Sequence, residues 1–348
     1  MIGVDLPEEL GSFIFKVNSE QLVGSFNLSV ATVELLKNYV IQSKWNSAQD
    51  LIDLITRNGK ILITALPRHS SVGNTVRRIL KIIREEYSTL HRSKQEESDQ
   101  QESLHRIVKS EGGVDDYTTI VPELKNAIID HISEFQMELE TSGDNVAQQA
   151  REHIHSNEII LTLGYSRSVE AFLKRAALDR KFEVIIAECA PSNQGHNLAA
   201  SLAKNKIQST VVSDATIFGI MSRVNKVILG THTIMANGGL RAISGSHAVA
   251  LAAKHYSVPV IVLAPMYKLS PHFLCSYDRD FFNTFASPEG VLSYSEASIF
   301  KGVHICNPVF DYVPPELITL LISNIGGHAP SYFYRLFSEL YHADDNEL

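Results

Sequence analysis

The fold is decided by the stretch EIILTLGYSRSVEAFLKRAA, residues 158–177, which joins a predicted strand to a predicted helix. Residues 158–163 carry apolar side chains at consecutive positions rather than at alternate ones, which is typical of a strand buried on both faces. Residues 169–177 then place apolar side chains at helical spacing. A strand followed by a helix is the repeating unit of a parallel sheet.

The same unit recurs along the C-terminal part of the chain. Further strands are predicted at 183–187, 209–213, 226–229 and 258–263, and helices at 197–204 and 248–255. The intervals between the strands suit right-handed crossovers. We therefore expect an α/β protein whose C-terminal domain is a Rossmann-like, doubly wound parallel sheet, with any ligand at the carboxyl ends of the strands.

The preceding residues are predicted to be helical. SAQD at 47–50 has the spacing of a capping box. Residues 74–87 form an amphipathic pattern in which Arg77, Arg78, Lys81 and Arg84 occupy the faces away from the apolar stripe. A second helix is predicted at 122–140, and its core stripe is Leu124, Ile128, Ile132, Phe135 and Leu139.

The predicted boundaries divide the chain into two domains. Residues 93–103 contain no apolar side chain and two glycines follow soon after, which predicts a solvated loop. After Gly143 the pattern changes from helical to strand-like. We expect a helical N-terminal domain at 1–142, with a mobile loop at about 90–118, and a Rossmann-like domain at 143–348 that mediates subunit assembly.

The composition excludes several classes of protein. Hydrophobic residues make up 44% and charged residues 20%, as in globular proteins. No apolar run approaches the roughly 18 residues of a membrane span, and residues 1–17 lack a basic leader. The net charge of -8 argues against non-specific nucleic-acid binding. The three cysteines, Cys189, Cys275 and Cys306, are too widely spaced to predict disulfides or a zinc site, so we expect a reducing compartment and no cofactor.

Polar segments after the strands are the candidate sites. Gly164, Tyr165, Ser166, Arg167 and Ser168 follow the first strand, but a nucleophile elbow needs glycine where Ser168 stands. The turn reads either as a hydroxyl-capped helix start or as an anion site to which Arg167 contributes. The loops at 191–196 and 236–239 either line a pocket or are simple turns.

Two further patterns have a structural and a functional reading. His153 and His155 could bind a metal only with a third convergent donor, and none is identifiable nearby. Asp130, Glu134 and Glu138 repeat every four residues on the side of their helix away from the core stripe. They are either a solvated face or a docking strip for a basic protein surface.

Several stretches resemble the beta subunits of eukaryotic translation initiation factor 2B. They are residues 72–87, 187–191 with 194–196, 221–228, 307–319 and 330–332. The similarity extends from about residue 45 to the C-terminus. That family shares its fold with the methylthioribose-1-phosphate isomerases, which use a cysteine and an aspartate to move protons between neighbouring carbons.

The resemblance implies the isomerase fold without its chemistry. A gapless match on ILT, residues 160–162, places Gly164 where the isomerases have their cysteine, and His232 falls at the position of their aspartate. Asn237 matches the isomerase pattern, but a lysine shortly after it becomes Ile243. General acid–base catalysis needs a proton donor and a proton acceptor, and glycine is neither. Ser166, Arg167 and Asn237 would complete a degenerate pocket.

The function that the resemblance implies is regulation. The chain would be a non-catalytic cytosolic subunit of the complex that exchanges guanine nucleotide on translation initiation factor 2. Its partners would be the related delta and alpha subunits, the catalytic gamma and epsilon subunits, and the alpha subunit of factor 2, whose phosphorylation it would sense. No direct nucleic-acid or membrane partner and no cofactor is implied.

Two alternatives remain open at this point. One is an active sugar-phosphate isomerase in which His232 has taken a new role, since histidine titrates near neutral pH. The other is a sensor of a small anionic ligand that binds near Ser166 and Arg167.

Overall fold

The computed structural model describes residues 8–98, 117–273, 284–296, 302–346 and 348. Its internal contacts divide the chain into two compact units. The helical unit comprises Met1–Glu140 and Ser338–Leu348, and the sheet unit comprises Thr141–Phe337. The closing segment thus belongs to the helical unit, whereas the boundaries expected from the sequence place it in the sheet domain. None of the described helices is long and apolar enough to cross a membrane.

The helical unit is built from amphipathic helices. They are α1 (Glu8–Asn18), α2 (Ser25–Gln42), α3 (Ala48–Ala65), α4 (Ser70–Ser98) and α5 (Leu124–Gln148), the last of which continues past the unit. The predicted capping box is confirmed: the Ser47 side chain accepts the Asp50 N–H at 3.2 Å, and the Asp50 carboxylate accepts the Ser47 N–H at 3.1 Å. The core stripe predicted for α5 is buried throughout.

Helix α4 extends into the segment that was expected to be a loop. It continues to Ser98, so residues 90–98 are helical. Lys, Gln and Glu are good helix formers, and a run without apolar side chains therefore does not end a helix. Residues 99–116, which make up most of the predicted mobile loop, lie outside the described residues.

The basic side chains of α4 bind the closing segment. Arg77 is only 1% exposed, and it donates to the carbonyl oxygens of Asp345 at 3.0 Å and Leu348 at 2.7 Å. Arg84 forms a bidentate pair with the Asp345 carboxylate, with distances of 2.9 and 3.3 Å. The amphipathic pattern, which assigns these arginines to a polar outer face, is wrong for Arg77 and Arg84. Charged side chains can be buried when their partners come from a distant segment.

The sheet unit consists of two sheets and flanking helices. Its strands are β1 (Ile159–Leu163), β2 (Glu183–Ala187), β3 (Gln208–Val212), β4 (Lys226–Gly230), β5 (Thr233–Ile234), β6 (Leu240–Ile243), β7 (Val260–Leu263), β8 (Phe310–Val313), β9 (Leu320–Ser323) and β10 (Gly326–His328). Its helices are α6 (Ala150–His153), α7 (Arg167–Ala176), α8 (Gly195–Lys204), α9 (Ile217–Ile220), α10 (Ser246–His255) and α11 (Phe333–Leu340), which ends in the helical unit.

The strand order confirms the predicted doubly wound fold. Over the described residues the large sheet runs β10-β9-β7-β4-β1-β2-β3, and all its pairs are parallel except β9 with β10. Every strand predicted from the sequence is present within two residues of its expected ends. Apolar residues of α7 and α8, including Phe172 and Leu202, pack on β1 and β2. A small antiparallel sheet, β5-β6-β8, is inserted after β4.

We predict that the pair between Arg84 and Asp345 stabilises the helical unit. Asp345→Asn should lower the free energy of unfolding by roughly 2 to 3 kcal/mol, because it leaves a buried guanidinium without a charged partner. Urea denaturation measures the loss. Asp344→Asn is the matched control, since Asp344 is 70% exposed and lies 4.0 Å from Arg84. It should lose less than about 0.5 kcal/mol. Equal losses for the two variants would contradict the assignment.

Candidate functional site

The candidate site lies where the strand order reverses. β1 pairs with β2 on one side and with β4 on the other, and the chain builds the sheet outward in both directions from this pair. Ligands of doubly wound proteins bind at such a point, outside the carboxyl ends of the strands. Gly164 follows β1, and Thr231 and His232 follow β4. The structure thus brings these residues to one crevice, which we call the switch-point site.

The floor of the switch-point site is filled by side chains. Gly164 has φ +59, a conformation that favours glycine. A Cβ atom added there would lie 2.8 Å from Cδ1 of Ile243 and 3.1 Å from Cβ of Cys189. A cysteine at position 164 would therefore need a strained backbone conformation and a shift of the Ile243 and Cys189 side chains. Ile243 and Cys189 occupy the space that a reactive side chain would need.

Ser166 fills the neighbouring space instead of capping a helix. It is the N-cap residue of α7, but its side chain forms no capping hydrogen bond, so the expected hydroxyl cap is wrong at this residue. A Cβ atom added to Gly230 would lie 2.6 Å from Cβ of Ser166. Ser166 therefore packs against the end of β4, which is possible only because residue 230 is glycine. Arg167 is exposed at the start of α7.

Cys189 is a buried structural thiol of the loop after β2. The Asp214 carboxylate accepts the backbone N–H groups of Cys189 at 2.9 Å and Ala190 at 2.7 Å, and it thereby holds the loop in place. Burial raises the pKa of the Cys189 thiol. Since the thiolate is the nucleophile, a raised pKa lowers the reactivity of this cysteine.

The His232 side chain contacts residues of the small sheet. Its Nδ1 lies 3.0 Å from the Thr233 hydroxyl, and its ring centroid lies 4.8 Å from that of Phe310 in β8. Arg241 of β6 covers the same Phe310 ring at 4.2 Å, and burial lowers the pKa of Arg241 to about 10. Asn237 is the exposed residue of an otherwise buried loop between β5 and β6, and its amide donates to the Tyr312 hydroxyl at 2.9 Å.

Lys268 is the most unusual charge at the switch-point site. It lies just after β7 and is buried, and its ammonium donates to the Thr231 carbonyl oxygen at 2.8 Å. Burial lowers the pKa of Lys268 to about 8. Within the described residues it has no carboxylate partner. Lys268 therefore holds the chain in place between β4 and β5, next to His232, at an electrostatic cost.

The acidic residues of α5 form a separate feature in the helical unit. Asp130, Glu134 and Glu138 are all exposed on one face of the helix, as the sequence pattern predicts. The lysines nearby are engaged elsewhere, because Lys37 donates to the Ser133 hydroxyl at 2.9 Å and Lys125 donates to the Ile41 carbonyl oxygen at 2.7 Å. We call Asp130, Glu134 and Glu138 the acidic strip.

The two histidines of the sequence pattern do not share a strand. His153 ends α6 and His155 follows it in an exposed turn, while Ile154 between them is buried. Burial lowers the pKa of His153. Across the described ranges, no group of three or more His, Cys, Asp or Glu side chains is placed to hold a metal ion.

Sequence reasoning missed the residues that close the switch-point site. Burial shifts the pKa values of Cys189, Arg241 and Lys268, and the sequence alone does not show which side chains are buried. A partial signal did exist for Lys268, because it lies five residues after the end of a buried strand, on the side of the carboxyl edge of the sheet. Arg241 gave no such signal, since β6 belongs to an inserted sheet that the sequence pattern did not predict.

Comparison with known proteins gives a consistent result over almost the whole chain. Residues 21–330 match the Initiation factor 2 subunit family. The beta subunit of translation initiation factor eIF2B from Dictyostelium discoideum is 45% identical, over 96% of this chain and 95% of the relative.

Two further similarities connect the chain to an assembly and to an enzyme. The crystal structure of the tetrameric eIF2B-beta2-delta2 complex from C. thermophilum contains a chain with a TM-score of 0.71 and 27% identity, covering 95% of this chain and 94% of that one. A ribose 1,5-bisphosphate isomerase from Archaeoglobus fulgidus is 30% identical, over 63% of this chain and 69% of the relative.

We predict that Lys268 destabilises the folded chain at neutral pH. Lys268→Met should raise the free energy of unfolding at pH 7 by roughly 2 kcal/mol, because the cost of burying the charge exceeds the lost hydrogen bond. The folded pKa of about 8 lies below the usual 10.5, so the unfolded chain binds more protons between these values and stability rises with pH there. The advantage of the variant should therefore disappear by about pH 10.5.

Urea denaturation from pH 7 to 10.5 measures this dependence. Lys226→Met is the matched control, since Lys226 is also buried but pairs with Glu158 at 3.0 Å. That variant should lose stability at pH 7. A loss of similar size in Lys268→Met would show that the ammonium is compensated in the folded state.

Proposed function

Because this chain belongs to the Initiation factor 2 subunit family, we propose that it is a non-catalytic regulatory subunit of the complex that exchanges guanine nucleotide on translation initiation factor 2. The observation that carries the proposal is the 45% identity with an eIF2B beta subunit over nearly the full length of both chains. The proposed partners are the delta and alpha subunits, the catalytic gamma and epsilon subunits, and the alpha subunit of factor 2. The proposed setting is the cytosol.

The packing of the switch-point site supports a role without catalysis. In the proposed alignment with the isomerases, Gly164 replaces the cysteine and His232 replaces the aspartate. Ile243 and Cys189 leave no room for a side chain at residue 164, and His232 packs on Phe310. A proton-transfer pair needs a donor and an acceptor on adjacent substrate carbons. Gly164 supplies neither group, and His232 contacts Thr233 and Phe310 instead of a second acid–base residue, which disfavours a sugar-phosphate isomerase.

The acidic strip is the proposed docking surface for factor 2. Its three carboxylates are exposed on one face of α5 and supply negative charge there. Such a face attracts a basic partner surface and orients it during association. A phosphoserine adds a charge of about -1.5 to -2 to the partner, so phosphorylation near the contact would oppose docking. The equilibrium between bound states then depends on phosphorylation.

We expect the chain to assemble with a delta subunit and to lack isomerase activity. Co-expression of the two full-length chains, followed by native mass spectrometry, should give a hetero-oligomer. The same preparation, incubated with methylthioribose 1-phosphate, should form no ribulose product. A stable lone monomer would contradict the subunit role, and turnover that is lost in His232→Ala would establish the isomerase instead. Thermal stabilisation by phosphate, lost in Arg167→Ala, would indicate a small-anion sensor.

We predict that Glu134→Lys weakens binding to the alpha subunit of factor 2 by about tenfold, because the charge reversal repels a basic surface. Interferometry with the assembled complex measures the affinity, and native mass spectrometry should show unchanged assembly. Glu34→Lys is the matched control, since Glu34 is an exposed acid of α2 in the same unit. An unchanged affinity in Glu134→Lys, or an equal loss in the control, would exclude the acidic strip as the docking surface.

A further inference from the structure

The loop after β2 enters the switch-point site with one side chain. Residues 190–194 are exposed, whereas Cys189 is only 8% exposed. The Cys189 Sγ lies 3.8 Å from the Ser244 carbonyl oxygen, and the Cys189 side chain fills the space beside Gly164. Cys189 therefore occupies the crevice, while the rest of the loop lies outside it. We call residues 189–194 the cover loop.

The cover loop is closed at its base. The Gly195 N–H donates to the Glu188 carbonyl oxygen at 3.1 Å, and the Glu188 N–H donates to the Val212 carbonyl oxygen of β3 at 3.0 Å. These two hydrogen bonds fix the ends of the loop to the sheet and to the start of α8. The cover loop can therefore move as one piece without breaking the sheet or unwinding the helix.

The backbone of the cover loop is strained in its present position. Cys189 has φ +60 and Asn193 has φ +50, and both values lie in the left-handed region. Residues other than glycine occupy this region at a cost, and asparagine tolerates it better than cysteine does. The strain is thus greatest at the residue whose side chain enters the crevice. It favours withdrawal of Cys189 unless another interaction holds the loop in place.

The carboxylate of Asp214 opposes this strain. Its Oδ1 accepts the Cys189 N–H at 2.9 Å, and its Oδ2 accepts the Ala190 N–H at 2.7 Å. Hydrogen bonds to an ionised acceptor are roughly twice as strong as neutral ones. Pro191 adds a contact at the tip of the loop, since a Cβ atom added to Gly290 would lie 3.4 Å from its Cγ. Asp214 belongs to the turn after β3, so a neighbouring element fixes the loop.

We propose that the cover loop is a lid on the switch-point site and that Asp214 holds this lid closed. In the closed state the Cys189 side chain occupies the floor beside Gly164. When the two hydrogen bonds to Asp214 break, the left-handed residues relax, Cys189 moves into solvent and the crevice opens. The lid goes beyond the proposed function, because it controls access to the crevice and not the assembly of subunits.

Alkylation of the full-length chain by iodoacetamide measures the open state, and mass spectrometry of the digested protein gives a separate rate for each cysteine. In Asp214→Asn an amide group that cannot accept an N–H replaces one carboxylate oxygen, so Cys189 should react about tenfold faster. Withdrawal also removes the burial that raises the pKa of the Cys189 thiol. Cys306 is exposed, and its rate should not change.

Asp50→Asn is the matched control. The Asp50 carboxylate also accepts two backbone N–H groups, those of Asn46 at 3.3 Å and Ser47 at 3.1 Å, but it does so in the helical unit. The variant should leave the Cys189 rate as it is in the unchanged chain. An equal acceleration in both variants would show that Cys189 reacts through general loss of stability, and the lid would be refuted.

Hydrogen exchange separates the opening of the lid from unfolding of the sheet. In Asp214→Asn the amides of Cys189, Ala190 and Asn193 should exchange about tenfold faster, while those of residues 183–187 in β2 should exchange as before. An unchanged rate at the cover loop would overturn the proposal. Faster exchange throughout β2 would also overturn it, because the carboxylate would then support the sheet and not a lid.

A measurement on the unchanged chain needs no variant. Opening of the lid exposes little surface, so the Cys189 alkylation rate should depend only weakly on urea below the unfolding midpoint. A rate that follows global unfolding at every urea concentration would refute the lid. None of these results bears on assembly with a delta subunit, which native mass spectrometry tests separately.

Discussion

The parallel pairing of β1 with both β2 and β4 is the constraint on which the sheet unit depends. It brings the residues that follow these strands to one edge of the sheet, where related folds bind ligands. Glycine at residues 164 and 230 leaves space at the strand ends that neighbouring side chains occupy. Ile243, Cys189 and Ser166 then fill the space between them. The same pairing that creates a crevice in an enzyme here supports a closed, packed edge.

Buried charges serve different purposes in the two units. In the helical unit Arg77 donates to a backbone carbonyl of the closing segment, and Arg84 pairs with the Asp345 carboxylate. These two charges therefore hold a distant part of the chain in place. In the sheet unit Lys268 is buried with a carbonyl oxygen as its acceptor, and burial lowers its pKa.

Predictions from the sequence are confirmed where all the residues of a pattern lie in one segment of the chain. The capping box at Ser47, the core stripe of α5 and the buried strands could be predicted because their hydrogen bonds or periodicity involve neighbouring residues. The exposure of Asp130, Glu134 and Glu138 followed from the same periodicity. The predicted loop after residue 90 is wrong up to Ser98, because residues without apolar side chains can still favour helix.

By itself the sequence determined the two-part α/β organisation, the strands of the parallel sheet and the resemblance to a family, since these follow from hydrophobic periodicity and short motifs. Only the tertiary structure decided that Asp345 neutralises Arg84 and that Cys189 and Ile243 fill the space beside Gly164. The physical reason is distance along the chain. Burial and electrostatic partners are set by segments up to 271 residues apart, and no local pattern records which of them will meet.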